Sequence, residues 1–278
     1  MIKISDVEID LNDTVTCGQC FRFKKNCDDS FTMILSDRVI RIKQENNDLI
    51  VYSNNEDDLE NIIINYFDLE TDYNKINKLL IKKDRVLADA INCSKGFRIL
   101  KQEPFEMLIS YIISQNNNVK RIMKSVDLLS NKFGKKVNFE NEEYYLFPTF
   151  DELSKIEIDD LKDIGVGFRD AYIMSALSLI KKGTINLEKI FDMKTNEALD
   201  YLELVKGIGP KVASCILLFG YSKYDVFPVD TWVMHAMEKL YPNIKQSQKE
   251  IIKFANEKYG NYSGIALQYM YHYMRNVK

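Results

Sequence analysis

Lys211 and Asp230 are the side chains of this sequence whose types and spacing best suit chemistry on a bound substrate. They are an amine and a carboxylate 19 residues apart. Lys211 follows Pro210, which suits the first turn of a helix. The helix dipole repels cations at that end, so we expect Lys211 to be a neutral amine, the nucleophilic form. Asp230 precedes a second helical pattern, so we also expect it to cap that helix.

A turn with two glycines, K-G-I-G-P, comes just before this lysine. Helical patterns on both sides of the turn predict a helix-hairpin-helix at about 196–220. Such a hairpin would point the N–H groups of Gly207, Gly209 and Val212 at one spot beside the positive end of a helix dipole. That arrangement suits an anion of phosphate size and would grip a phosphate backbone without reading its sequence. The alternative is a turn that merely joins two packed helices.

The two segments together resemble a known signature. LVKGIGPKVASCILL at 204–218 and VFPVDTW at 226–232 are similar to the helix-hairpin-helix, Gly-Pro-Asp motif of the base-excision DNA glycosylase superfamily, and specifically to its 8-oxoguanine DNA glycosylase branch. The resemblance implies that Lys211 is the nucleophile and Asp230 its electrostatic and acid–base partner. Lys211 would attack C1′ of the damaged nucleotide, the base would depart, and the Schiff base would permit β-elimination of the 3′ phosphate. The nucleotide must first be flipped out of the duplex.

The resemblance extends to a pocket for the lesion base. It assigns to this pocket Gly18, Cys215, Pro228, Gln268 and Tyr271. In T-C-G-Q-C-F-R-F at 16–23, the glycine carbonyl would accept the hydrogen on N7 that 8-oxoguanine has and guanine lacks. In Y-S-G-I-A-L-Q-Y-M-Y at 262–271, the last tyrosine would stack on the lesion. Leu267 stands where the family has a glutamine that reads the base, and Gln268 lies roughly 100° further round the helix.

A further set of residues would contact the DNA and the orphaned base opposite the lesion. The resemblance assigns these contacts to Asn116, Arg121, Phe168, Arg169, Gly207, Gly209, Val212 and Trp232. Arg121 and Arg169 only donate hydrogen bonds, and the pairing edge of cytosine offers two adjacent acceptors. We therefore expect excision to prefer cytosine opposite the lesion. Phe168 replaces the tyrosine wedge of the family, and Trp232 replaces a histidine that contacts a phosphate.

Composition sets bounds on partners and cofactors. The net charge of −3 and the pI near 5.6 argue against broad binding to polyanions. One local basic segment could still contact phosphates: Lys120, Arg121, Lys124, Lys132, Lys135 and Lys136. Cys17, Cys20 and Cys27 lack the further ligands of a zinc site, and the four-cysteine cluster of some related glycosylases is absent, so we expect neither a metal nor a cofactor. The sequence has neither an apolar run of membrane length nor a signal-peptide pattern, so we expect a cytoplasmic or nucleoid-associated protein. We also expect a monomer.

The hydrophobic patterns predict an α+β fold. An N-terminal domain, an antiparallel β-sheet with helices, is expected at residues 1–86, and a predominantly α-helical helix-hairpin-helix glycosylase core at 87–278. Strands are expected at 32–35, 39–42 and 49–52, a helix at 59–67, and a surface loop at 138–145.

These observations favour a bifunctional glycosylase and lyase that removes 8-oxoguanine from double-stranded DNA. Leu267 leaves open a second enzyme, a glycosylase for another purine lesion on the same scaffold. A third hypothesis, from a different class, is a non-catalytic DNA-binding module that uses the hairpin for recruitment. The presence of both Lys211 and Asp230 favours an enzyme.

Overall fold

An antiparallel sheet of five strands forms the N-terminal part of the computed structural model, which describes residues 1–276. The strands are β1 (Ile2–Ile4), β2 (Phe23–Lys25), β3 (Phe31–Ile34), β4 (Val39–Glu45) and β5 (Asp48–Ser53), in the order β1-β5-β4-β3-β2. Ile40 and Ile42, two residues apart on β4, are fully buried, as expected for β-branched residues on the covered side of a sheet. The sheet confirms the predicted fold class.

Two helices and one later residue complete the core of the sheet. Helix α1 (Leu11–Thr16) and helix α2 (Leu59–Tyr66) pack their buried leucine, valine and isoleucine side chains against β3, β4 and β5. Leu100 joins this core from the segment that leads into the later helices. The chain leaves α1 through Cys17 and Gly18, so the sheet domain holds this turn at its boundary with the helical core.

The rest of the chain is mainly helical. The further helices are α3 (Tyr73–Lys83), α4 (Leu87–Cys93), α5 (Pro104–Ser114), α6 (Val119–Phe133), α7 (Phe150–Leu153), α8 (Asp170–Lys181), α9 (Lys189–Asp192), α10 (Thr195–Glu203), α11 (Pro210–Tyr221), α12 (Thr231–Leu240), α13 (Gln248–Tyr259) and α14 (Ser263–Asn276). Helices α5 and α11 pack together and are buried on nearly all sides. Helices with apolar residues all round belong in a protein interior, so this pair forms the centre of the core and carries Lys211 at one end.

The predicted surface loop at 138–145 is wrong. This segment belongs to a β-hairpin made of β6 (Lys136–Phe139) and β7 (Glu142–Tyr145). Glu140 and Asn141 form its two-residue turn with φ of +52° and +66°, the positive angles that match the twist of paired strands. Phe139 is buried and anchors the hairpin. Glutamate is not a usual residue for such a turn, so the sequence carried a weak turn signal.

Within residues 1–276, no helix combines the length and the apolar character needed to cross a membrane. Over the same residues, no group of three or more His, Cys, Asp or Glu side chains is arranged to hold a metal ion.

Candidate active site and nucleic-acid interface

The predicted hairpin joins α10 to α11. Gly207 has φ +90°, and a β-carbon there would lie 2.4 Å from the ring of Tyr172, so only glycine fits. Gly209 has extended backbone at φ −111°, and a β-carbon there would meet nothing within 4 Å. In the described chain, the N–H groups of Gly207, Gly209 and Val212 have no hydrogen-bond acceptor. These unpaired N–H groups lie at the N-terminus of α11 or just before it, where a phosphate can bind.

A cavity of about 400 Å³ lies beside the start of α11. Its walls come from the turn after α1, from α5, from the connection to α6 and the first turn of α6, from α11, from the start of α12, and from α14. The structure thus brings together many of the residues predicted from the sequence: Gly18, Lys211, Cys215, Pro228, Asp230, Trp232, Gln268 and Tyr271. Leu267 and Gln268 both line this cavity, so a glutamine is present at the site although it is one position later than the resemblance implies.

Lys211 has several interaction partners on the cavity wall. Its pKa is raised above the usual value, first by Cys215 and then by the Asp230 carboxylate, and burial opposes both. The amine also lies 5.8 Å from the ring centre of Tyr111. Burial raises the pKa of Cys215, and the neighbouring charge of Lys211 opposes this shift. A raised pKa favours the ammonium form at neutral pH, so the DNA-free site does not support the expectation of a neutral Lys211.

Asp230 caps helix α12, as predicted. Its Oδ1 accepts a hydrogen bond from the N–H of Val233 at 2.8 Å, and its backbone has the extended conformation of an N-cap residue. The cap fixes the orientation of the carboxylate at the edge of the cavity that Lys211 also lines. Cap and charge partner are thus compatible roles for this side chain.

The opposite wall of the cavity is built around Gly18. This residue has φ +96°, a left-handed conformation that glycine adopts without strain. Tyr271 and Gln268 from α14 lie on the same cavity. Sequence reasoning missed Arg275, whose Nη1 donates to the Cys17 carbonyl at 3.2 Å. A signal was available, since Arg275 follows Tyr271 by four residues and so shares its helix face.

Four of the residues predicted to contact the DNA and the orphaned base do not line this cavity: Asn116, Arg121, Phe168 and Arg169. They lie near one another at the ends of α5, α6 and a short 3-10 helix at Gly167–Arg169. Asn116 and Arg121 are exposed, and Phe168 is 54% exposed, more than most aromatic side chains of the chain. Asn116 has φ +46°, an unusual conformation for a non-glycine residue. An exposed aromatic ring beside a strained polar loop suits a surface that inserts into a duplex.

The guanidinium of Arg169 is already hydrogen-bonded to the protein backbone. It is buried, and it donates to the backbone carbonyls of Gln115, Val166 and Asn116, the Nε bond to Gln115 measuring 2.8 Å. Burial, followed by the nearby charge of Arg121, lowers its pKa. The contact of Arg169 with cytosine stays a prediction, because it would require these hydrogen bonds to be exchanged when DNA binds. The backbone carbonyls of a tight loop compete successfully for its hydrogen bonds.

The predicted basic segment is only partly available for phosphates. Lys132 donates to the carbonyl of Asp160 at 2.7 Å, and Lys136 pairs with Glu143 across the β6–β7 hairpin. Lys120 and Lys124 are exposed on α6 next to Arg121. The charge near the Asn116 loop is thus concentrated in the first turns of α6.

Comparisons with known proteins agree with this geometry. Residues 1–108 match the family model described as 8-oxoguanine DNA glycosylase, N-terminal domain. Residues 109–261 match the HhH-GPD superfamily base excision DNA repair protein model. An N-glycosylase/DNA lyase of Saccharomyces cerevisiae is 30% identical over 86% of this chain and 70% of its own length.

Two solved structures are similar over nearly their whole length. The 8-oxoguanine glycosylase/lyase of Clostridium acetobutylicum, in complex with double-stranded DNA containing cytosine opposite 8-oxoguanine, has a TM-score of 0.93 at 39% identity, covering 98% of this chain and 94% of that one. MBOgg1 in complex with a low-affinity DNA ligand has a TM-score of 0.94 at 38% identity, covering 98% of this chain and 94% of that one.

Fold, hairpin and cavity together define a helix-hairpin-helix protein of base-excision DNA repair. With a sheet domain of the matching type at its N-terminus, the chain belongs to the 8-oxoguanine DNA glycosylase family.

Proposed function

We propose that this protein removes 8-oxoguanine from double-stranded DNA and then nicks the strand, as its relatives named N-glycosylase/DNA lyase do. The observation that carries the proposal is the shared cavity of Lys211 and Asp230, bounded by Gly18 on one side and Tyr271 on another. A cavity of about 400 Å³ can hold a flipped purine. We further propose that the protein acts as a monomer and, because its substrate is duplex DNA, is cytoplasmic or nucleoid-associated.

The chemistry begins with the amine of Lys211. In the DNA-free site it is an ammonium group, which must lose its proton before its lone pair can bond to C1′ of the flipped nucleotide. The C1′–N9 bond breaks, its electron pair leaves with the base, and the base takes up a proton. The proton lost by the amine balances the proton gained by the base, so the step needs no external acid. Asp230 stabilises the positive charge that develops at C1′.

The sugar ring then opens: the lysine nitrogen and C1′ form the C=N bond of the Schiff base, the C1′–O4′ bond breaks, and O4′ takes up the proton that the nitrogen loses. This Schiff base allows strand scission. Loss of a proton from C2′ expels the 3′ phosphate by β-elimination. The hairpin holds the strand through backbone contacts while this takes place, because its donors at Gly207 and Gly209 suit a phosphate oxygen.

Borohydride trapping tests the proposal. Borohydride reduces the Schiff base, so the wild-type protein should form a covalent adduct with a duplex that contains 8-oxoguanine. Lys211→Gln should form no adduct and should neither release the base nor nick, while still binding the duplex. Asp230→Asn keeps an oxygen to accept from the Val233 N–H and should lose about two orders of magnitude or more in excision rate, a typical loss for a group that stabilises transition-state charge.

Two results would contradict the proposal. Normal nicking by Lys211→Gln would remove Lys211 as the nucleophile. Unchanged turnover in Asp230→Asn would leave Asp230 with its capping role alone.

A further inference from the structure

Arg275 is a charged side chain on the cavity wall to which the chemistry above gives no task. It lies one turn beyond Tyr271 on α14, and both side chains line the cavity with Gln268. Residues three and four apart share a helix face. Arg275 therefore belongs to the side of α14 that would face a flipped base.

A hydrogen bond holds the guanidinium next to Gly18. Its Nη1 donates to the Cys17 carbonyl at 3.2 Å, and a β-carbon placed on Gly18 would lie 3.7 Å from that nitrogen. A guanidinium has five N–H donors. Within the described residues, Nη1 is the one nitrogen of Arg275 that donates a hydrogen bond. Arg275 thus brings unused donors to the turn that bounds the lesion pocket.

The chemistry of the lesion matches these donors. In 8-oxoguanine the carbonyl oxygens O6 and O8 lie on either side of the N7–H group. Leu267 also lines the cavity but has no polar atom to contact the base. A base carbonyl left without a donor in a buried pocket loses its hydrogen bond to water without a replacement.

We propose that Arg275 reads the flipped base by donating a hydrogen bond to the carbonyl oxygen beside N7, O6 or O8. The inference rests on the proposed function, because it requires the lesion to enter this cavity. The carbonyl of Cys17 anchors the guanidinium at the Gly18 end of the pocket. Arg275 is then a specificity-determining residue, because it supplies a hydrogen-bond donor that the apolar Leu267 on the same helix cannot supply.

The test compares two reactions of one protein. Excision of 8-oxoguanine requires recognition of the base, whereas nicking of a preformed abasic site does not. Arg275→Ala should slow single-turnover excision roughly 10- to 100-fold, the range for a lost charge-assisted hydrogen bond, and should leave abasic-site nicking at the wild-type rate. Arg275→Lys keeps a charged donor and should recover part of the loss. The matched control Lys253→Ala removes an exposed cation paired with Glu257 at 4.0 Å and should change neither rate.

Binding separates this proposal from the catalytic one. In the Lys211→Gln background, adding Arg275→Ala should weaken binding to a duplex with 8-oxoguanine and leave binding to an undamaged duplex unchanged, whatever residue performs the chemistry. Duplexes with 8-oxoadenine, which keeps O8 but has an amino group in place of O6, assign the oxygen. Weaker binding of both lesions indicates O8, and weaker binding of 8-oxoguanine alone indicates O6.

Three results would overturn the proposal. Unchanged excision by Arg275→Ala would exclude the contact. Equal losses of excision and abasic-site nicking would indicate a structural role. If Arg275→Ala weakened binding to damaged and undamaged duplexes equally and made binding less dependent on salt, Arg275 would contact a phosphate.

Discussion

Replacement of Gly207 by alanine should damage the hairpin far more than the same replacement at Gly209. At φ +90° an alanine is strained by roughly 1–2 kcal/mol. Its β-carbon would also lie 2.4 Å from the Tyr172 ring, and overpacking of this kind costs about 1–3 kcal/mol. Gly207→Ala should therefore lower the free energy of unfolding by about 2–5 kcal/mol, the sum of the two costs.

Gly209→Ala is the matched control. Gly209 has extended backbone and no atom within 4 Å of a new β-carbon, so its replacement should cost less than about 1 kcal/mol, the scale of a change at a helix N-cap. The new methyl group would occupy the open space where a phosphate must approach. Gly209→Ala should thus weaken DNA binding in a protein of nearly normal stability.

Urea unfolding and binding to a labelled duplex measure these effects. A double-mutant cycle with Tyr172→Ala isolates the clash, because removal of the ring should recover the overpacking part of the loss and leave the backbone strain. Equal stability of the two alanine variants, or a coupling energy near zero in the cycle, would refute the reasoning.

Two further predictions follow from the loop that Arg169 holds and from a buried carboxyl group. Arg121→Ala should flatten the preference for cytosine opposite 8-oxoguanine, whereas Arg169→Ala should slow excision opposite all four bases by similar factors, because Arg169 braces the carbonyls of Gln115 and Asn116. Single-turnover rates with each opposite base test this, and a flattened preference in Arg169→Ala would restore its role as a cytosine contact. Burial raises the pKa of Glu106 from 4.5 to about 7, so the folded protein keeps a proton that the unfolded chain releases. The free energy of unfolding should therefore fall as pH rises from 4.5 to about 7. Urea unfolding across that pH range should show a smaller fall in Glu106→Gln. An equal fall in both proteins would mean that other groups cause the pH dependence.

Features set by neighbouring residues were predictable from the sequence. The turn K-G-I-G-P and the capping position of Asp230 depend on the backbone preferences of glycine, proline and aspartate, and the structure contains both. The alternation of apolar residues likewise predicted the sheet, including the fully buried β4 residues Ile40 and Ile42.

Features set by distant residues were not predictable. The pKa of Lys211 is raised by Cys215 on its own helix and also by Asp230 and Tyr271, which come from later elements. The inward orientation of Arg169 depends on carbonyls 53 and 54 residues earlier in the chain. Arg275 reaches the Cys17 carbonyl from a position 258 residues away. No local pattern encodes contacts of this range.

The walls of the active-site cavity have different origins along the chain. Lys211 and Asp230 lie within 109–261, the part that matches the broad superfamily model. Gly18 lies within the specialised N-terminal domain, and Tyr271 lies beyond residue 261. If Lys211 and Asp230 act as proposed, substitutions at the two ends of the chain would change which damaged base is accepted and leave these two groups in place. The residues proposed to perform the reaction and those proposed to recognise the base can therefore change independently during evolution.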